Sequence, residues 1–303
     1  MIFGFDQAVN RPAYKYLRQA GIKAFISYWG APMSSLNYGW KLIAKRIQTL
    51  FSVHKPDHFI FQSVGMRKTA THGCGIPTSN TSIVRTGIDT DLFSPSEELQ
   101  NYAHDAFGIP RNQRIFFFSG HMEKRKGVSV IIDTAKYLVN ELHRNDIHFL
   151  ILGNKGTEAD TFGPMYKDTK ASQHITFGGY RNDIPNILKS CYAGFIASIG
   201  WDSFPMSSIE MASTELPIIA SDLAGLKEAV TSETGFLYPP GDFCKAAEKI
   251  VFLLDNPDIR HQMGKKARSR AIQDFSRDSQ IRGIETVIRK VMIGKRLLPA
   301  PKK

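Results

Sequence analysis

The chain is short of cysteine, short of acidic residues, and without any long apolar run. Cys74, Cys191 and Cys244 are its three cysteines, widely spaced and with no CxxC pair, so neither a disulfide framework nor a zinc site is indicated. That usage fits a reducing cytoplasm. No apolar stretch approaches the roughly 18–20 residues of a membrane-spanning helix. The N-terminus lacks a basic segment followed by an apolar core, so neither a span nor a secretion signal is expected. Internal repeats and low-complexity tracts are missing as well. Asp and Glu number 28 against 39 Lys and Arg, a net charge of +11, and the resulting field favours anionic partners: nucleotide phosphates, anionic lipid or nucleic acid. The basic residues recur along the chain (Lys41, Lys45 and Arg46; Lys124 to Lys126; Lys265, Lys266, Arg268 and Arg270), which reads as solvated helix faces, with a peripheral membrane contact as the alternative.

What is present is an ordinary globular composition, 42% hydrophobic and 22% charged, in 303 residues, a length that suggests two domains. From about residue 113, short β-branched and aromatic runs alternate with amphipathic stretches of helix length, which predicts a parallel sheet with crossover helices. The strands fall at Ile115–Ser119, His148–Leu152, Ile175–Phe177, Gly194–Ala197 and Pro217–Ala220, with Gly235–Tyr238 as a short edge. Helices are predicted over Val128–Leu142, Ile184–Lys189, Pro205–Ser213, Leu226–Val230 and Asp242–Leu254. Nearly all-apolar strands are those covered on both faces, so a doubly wound α/β domain follows, with ligands outside the carboxyl ends of its strands. Earlier in the chain the alternation is weaker. Strands are predicted at Ile2–Phe5, Ala24–Ser27 and His58–Gln62, and helices at Asn10–Ala20 and Leu36–Ser52, about half of a Rossmann-type domain. The turn residues from Thr86 to Pro95 mark a linker. The expected division is 1–95, a partial first domain; 96–275, a complete Rossmann-type domain; and 276–303, a helix and tail crossing back to the first.

Phe195-Ile196-Ala197-Ser198-Ile199 runs through Gly200-Trp201-Asp202-Ser203-Phe204-Pro205 into a helix, with Ser203 as its predicted N-cap and Pro205 in the first turn. Such a helix start offers unpaired N–H groups and the positive end of a dipole to phosphate or sugar oxygens. Glu210 lies further along, where its carboxylate suits a ribose diol, and Asp202 lies on the loop, within reach of a sugar hydroxyl. Taken as an isolated pair, the two acids would read as a loop residue and an exposed helix residue. A second landmark, Ser119-Gly120-His121-Met122-Glu123-Lys124-Arg125-Lys126-Gly127, follows the first strand of the second domain, with glycine for close approach and lysine for a diphosphate charge.

The spacing of Asp202 and Glu210, an acid, seven residues and a Glu at a strand-to-helix corner, resembles the signature of retaining glycosyltransferases of family 4, the glycosyl transferases group 1 of the GT-B fold. The likeness continues through Met211–Asp222, Ala224–Glu228 and Gly235–Asp242. It implies two Rossmann-like domains, the N-terminal one truncated here. In that family Lys126 matches the lysine that holds the donor diphosphate, while His121 stands where an arginine is usual, leaving the anion to Lys126 and Arg125. Lys126, Asp202 and Glu210 are then the expected catalytic residues. Gly120, His121, Arg125, Tyr180, Arg181, Ser203, Phe204, Pro205, Met206 and Ser207 are the expected donor contacts, with Gly178–Ile184 meeting the base. Gln62-Ser63 resembles the close of the family's first-domain sheet, Tyr28-Trp29-Gly30 stands where its catalytic-site His is usual, and Val84–Phe93 resembles its hinge. His54, His58, His72 and His104 read as surface or core residues.

The function implied is transfer of a hexose-type sugar from a UDP or GDP sugar, with retention, to a glycan or lipid-linked acceptor, as in polysaccharide biosynthesis. No metal or further cofactor is expected. Expected partners are the nucleotide sugar, the acceptor, an anionic membrane met peripherally from the cytoplasm, and a second chain completing the first domain; no motif points to nucleic acid. The alternative is a nucleotide-sugar-binding module that is catalytically impaired or dependent on a partner.

Overall fold

The computed structural model describes residues 1–33, 38–202 and 204–299. It divides into two compact units: Met1–Gly87 with Arg277–Lys303, and Ile88–Ser276. The division falls a few residues before the expected boundary at 95 and 96. Ile88 already belongs to the second unit, because its N–H donates to the Phe275 carbonyl at 2.8 Å and its side chain enters that unit's core.

In the first unit, four parallel strands run in the order of the chain: β1 (Ile2–Phe5), β2 (Phe25–Trp29), β3 (His58–Phe61) and β4 (Thr81–Ile83). Alternation along β3 sends successive side chains to opposite faces. Phe59 and Phe61 pack with Met66, Ala70 and Ile76, whereas Ile60 packs with Ile26, Tyr28, Val287 and Val291. The last two come from the helix Arg277–Gly294, which covers one face of the sheet. A helix at Val64–Thr71 starts at buried Ser63, whose Oγ accepts from the Met66 N–H at 3.1 Å. The helix predicted over Leu36–Ser52 spans Gly39–Phe51, and the beginning of the predicted range lies outside the described residues.

The second unit holds six parallel strands, β5 (Arg114–Ser119), β6 (Ile147–Leu152), β7 (Ile175–Phe177), β8 (Ala193–Ile196), β9 (Ile218–Ser221) and β10 (Gly235–Tyr238), in the spatial order β10-β9-β8-β5-β6-β7. Both sheet faces are covered, as the apolar runs require. Phe116 and Phe118 of β5 join Phe149 and Ile151 of β6 on one side; Ile115 and Phe117 join Leu150 and Leu152 on the other. The helix predicted over Val128–Leu142 is α-helical to Lys136 and continues as a wider π turn over Tyr137–Glu141. After β10 come the helices Phe243–Asp255 and Pro257–Phe275. No described helix is long and apolar enough to cross a membrane.

Candidate functional site

The strand order reverses between β5 and β8. From β5 the chain moves outward to β6 and β7, then returns to lay β8 on the other side of β5. Loops leaving the carboxyl ends of such neighbours diverge and open a crevice, the usual ligand position in a doubly wound sheet. Here those loops are Gly120–Gly127 and Ser198–Pro205, which carry the two motifs singled out in the sequence. They are tied together by the Arg125 carbonyl, which accepts from the N–H groups of Ile199 at 2.8 Å and Gly200 at 3.3 Å. Gly127 closes the first loop at φ +71°, where a side chain would collide with the Ala197 carbonyl, so glycine is required on both counts.

Lys126 and Asp202 meet at this point. The ammonium Nζ lies 2.8 Å from Asp202 Oδ2, and both side chains are largely buried. The same Oδ2 accepts from Ser198 Oγ at 2.8 Å. The sequence places Asp202 within reach of a sugar hydroxyl; the structure engages its Oδ2 in orienting the lysine. An ammonium has three donors, so Lys126 keeps hydrogen-bonding capacity beyond this carboxylate. Removing either partner would strand a buried charge.

Arg125 braces the same corner. Its Nε donates to Glu123 Oε2 at 2.6 Å, its Nη1 to the Trp201 carbonyl at 3.3 Å, and its guanidinium lies 4.4 Å from the centre of the exposed Trp201 ring. Gly120 hydrogen-bonds through its N–H to the Leu152 carbonyl, and His121 is solvent-exposed.

The following helix spans Met206–Ser213, with Pro205 rather than a hydroxyl residue at the capping position. Ser203, the predicted N-cap, lies outside the described residues. Phe204 anchors the helix start by burying its ring against Phe275, 5.4 Å between centres, so any contact it makes with a ligand is through its main chain. Ser208 donates both its N–H and its Oγ to the Pro205 carbonyl. The preceding N–H groups, of Met206 and Ser207, belong to the first turn, which has no intrahelical acceptors. Glu210 stands four residues after Met206, on the same helix face. Its carboxyl is pushed above the ordinary range by burial, with no cation among the described residues offsetting that cost.

On the other side of β5, Gly153 N–H donates to the Gly179 carbonyl and Gly179 N–H to Asn154 Oδ1, each at 2.9 Å, fixing the turn after β7. Tyr180 is exposed, with Lys155 Nζ 5.6 Å from its ring centre. Arg181 is held instead on Asp183, Nε to Oδ1 at 2.8 Å, and Asp183 also accepts from Tyr102 at 2.8 Å. The Arg181 guanidinium holds the Asp183 carboxyl down at about 2. Arg181 therefore shapes the loop. Ser198 and Asn154 escape the sequence reading; the signal was a buried polar residue just past the end of an apolar strand. A cavity of about 770 Å³, lined by Arg114, Tyr192, Leu216 and Arg260, opens at the amino ends of the strands, away from these loops.

Residues 100–270 match the glycosyl transferases group 1 family. The chain is 27% identical over 196 residues to the UDP-Gal:alpha-D-GlcNAc-diphosphoundecaprenol alpha-1,3-galactosyltransferase of Escherichia coli, covering 64% of this chain and 50% of that protein. Against the D-inositol 3-phosphate glycosyltransferase of Corynebacterium aurimucosum the identity is 27%, covering 65% of this chain and 48% of the relative. The chain thus spans about half the length of the curated relatives it matches. A glycosyltransferase structure from Rickettsia africae ESF-5 superposes with a TM-score of 0.78 at 18% identity, covering 92% of this chain and 79% of that one. The Anabaena Alr3699/HepE structure in complex with UDP gives 0.77 at 17% identity, covering 92% and 82%. Two Rossmann-like parallel sheets, the corner from Asp202 to Glu210, and a match over more than half its residues place the chain in the glycosyl transferases group 1 family, with the GT-B fold.

Proposed function

We propose that this chain carries the donor half of a retaining transferase, which moves a hexose-type sugar from a nucleoside diphosphate sugar to a glycan or lipid-linked acceptor. The observation that carries this reading is the pairing of Lys126 with Asp202 at the switch point, beside a helix start that leads to a half-buried carboxylate, Glu210. In it, the N–H groups of Met206 and Ser207 and the Lys126 ammonium receive the charge that develops on the departing diphosphate. Glu210 accepts from the ribose diol, which replaces the water lost on burial. Asp202 and Ser198 hold Lys126 in place. The bond from the anomeric carbon to the diphosphate oxygen breaks, the acceptor oxygen bonds to that carbon on the same face, and the acceptor proton passes to the leaving diphosphate. The chemistry asks for a cation at the diphosphate, and Lys126 supplies it without a metal.

Support for the donor class comes from the family and from the relatives. The Escherichia coli protein is named for UDP-Gal and a diphosphoundecaprenol acceptor. A Mycobacterium leprae relative, 27% identical over 180 residues, is a phosphatidyl-myo-inositol mannosyltransferase. Both names pair a sugar with a lipid, which favours a lipid-linked acceptor and a cytoplasmic, membrane-peripheral setting here. In thermal unfolding, UDP or GDP is expected to raise the melting temperature, and Glu210→Ala to remove the rise; no rise with any nucleoside diphosphate would end the reading. The second reading, a donor-binding module without turnover, is favoured by exposed His121 where the family has arginine. Hydrolysis of a UDP or GDP sugar by the wild type, absent in Lys126→Ala, separates an enzyme from such a module.

A further inference from the structure

The helix Gly39–Phe51 is turned the wrong way for a water-soluble surface. Trp40, Ile43, Ile47, Leu50 and Phe51 are 51 to 75% exposed. At 100° per residue they share a sector of about 100°. The opposite side meets the protein: Thr49 is buried and donates its hydroxyl to the Cys74 carbonyl, and Leu42 is half-buried. Arg46 lies against Gly75, where an added Cβ would collide with the Arg46 backbone. Adjoining Val53 is 82% exposed. A contiguous apolar stripe of this size marks a contact surface.

The charge around it is equally one-sided. Residues 7–56 contain eight Lys and Arg and no Asp or Glu. Residues 1–87 with 277–303 carry 19 Lys and Arg against four Asp and Glu, a net +15, whereas residues 88–276 carry 20 against 24, a net −4. Arg46 borders one edge of the apolar stripe and Lys41 lies on its other flank, both exposed, whereas exposed Lys45 projects from the opposite side.

We propose that the Gly39–Phe51 helix docks this chain on an anionic lipid surface, lying in the plane of the headgroups. Trp40, Ile43, Ile47, Leu50 and Phe51 enter the acyl boundary, while Lys41 and Arg46 meet lipid phosphates. A helix with bulky apolar residues on one face and cations on its flanks has the physical character of an interfacial helix. Nucleic acid or a charged glycan would satisfy the cations and leave five large apolar side chains in water; a bilayer satisfies both. A second copy would have to bring an equally basic face against this one, at a cost in repulsion. The inference stands on this helix and does not depend on the donor site.

The test uses the full chain with sonicated vesicles of phosphatidylcholine alone or mixed with phosphatidylglycerol. Co-sedimentation is expected with the mixed vesicles, weakening as salt rises. Trp emission should shift to the blue on binding, and Trp40→Phe should remove the shift while Trp29 and Trp201 remain. Lys41→Gln and Arg46→Gln should each lower partitioning about fivefold. Ile47→Glu combined with Leu50→Glu, at exposed positions that leave the fold intact by circular dichroism, should lower it more than tenfold. Lys126→Ala should bind vesicles like the wild type. Wild-type partitioning by the double Glu variant would overturn the proposal. So would absence of vesicle binding, whether accompanied by a solution dimer that the double Glu variant dissociates or by binding to duplex DNA.

Discussion

The two units divide apolar surface and charge in opposite ways. The second unit buries both faces of its six-stranded sheet and carries a net −4; the first leaves the apolar side of one helix in water and carries a net +15. The overall charge of +11 conceals this. Basic residues that look scattered along the chain are offset by acids in the second unit and almost unopposed in the first. The anion site proposed for the second unit, whose net charge is negative, cannot rely on a general field. It has to be local, and Lys126 oriented by Asp202 and Ser198 beside a helix start is a local device.

The sharpest break between the two units comes from charge removal at that device. Lys126→Ala is expected to lower donor turnover by about 10²–10³-fold, the usual size for losing one preorganised charge or donor at a developing anion. Steady-state kinetics on a UDP or GDP sugar measures it. Asp202→Asn keeps the shape but leaves the buried ammonium unpaired, an expected loss of about 3 kcal/mol in stability, read by denaturant unfolding. Both effects should be confined to the second unit.

Acid should act on both units, along different curves. His148 in the second unit donates or accepts between Gln113 Oε1 at 2.9 Å and Thr176 Oγ1 at 2.8 Å, and burial pulls it down to about 3. His58 in the first unit bonds Ser82 Oγ at 2.8 Å and is lowered to about 4 by burial, with Lys290 adding to the effect. Unfolded histidines take up protons near pH 6.5. Stability is therefore full above that pH and is lost as pH falls toward each folded value. At pH 4 the loss from His148 should be about 3 kcal/mol. Below pH 4 the contribution of His58 levels off while that of His148 continues to fall. The pH dependence of unfolding in His148→Gln and His58→Gln, each flatter than the wild type, tests the assignment. A smaller effect, about 1–3 kcal/mol, is expected for Gly127→Ala, which places a side chain at positive φ against the Ala197 carbonyl.

The contrast also explains what could be read in advance. The second unit's strands were legible because each is a nearly all-apolar run between turn signals: β7 and β10 lie on their predicted residues, and β5, β6, β8 and β9 within one residue of theirs. β4, Thr81–Ile83, has only three residues and one strong apolar side chain, and the helix Val64–Thr71 has only Ala70 as an apolar residue in its second half, so neither has a clear period to detect. At the site, both motif loops were legible as turns after apolar strands, and it is the strand order of the structure that brings residues 126 and 202 together. The lysine–carboxylate bond was not legible, since the sequence offers no sign of which atom Asp202 faces. Ser198 and Asn154 were hidden for the same reason. The outward stripe of Gly39–Phe51 was visible as periodicity, yet periodicity alone assigns the apolar side to a core; only tertiary packing reveals that the helix is turned outward.

The smallest expected effect concerns Glu210. Its carboxyl is raised by burial, so the ionised form is disfavoured in the fold, and the folded state binds a proton more readily than the unfolded chain. The sign is opposite to that of a paired carboxylate: stability contributed by this group is present below the ordinary carboxylate range and is lost as pH rises through the folded value. Glu210→Gln should therefore be slightly more stable than the wild type at neutral pH, with the difference vanishing in acid. Nucleotide reverses the order, because a ribose diol donates to the ionised carboxylate and Gln accepts less strongly. A melting temperature for Glu210→Gln above the wild type without UDP and below it with UDP is the expected pair of results. Equal melting temperatures at neutral pH would show that the carboxylate is solvated after all, and the second unit would then lose a group that distinguishes a nucleoside site from a bare diphosphate site.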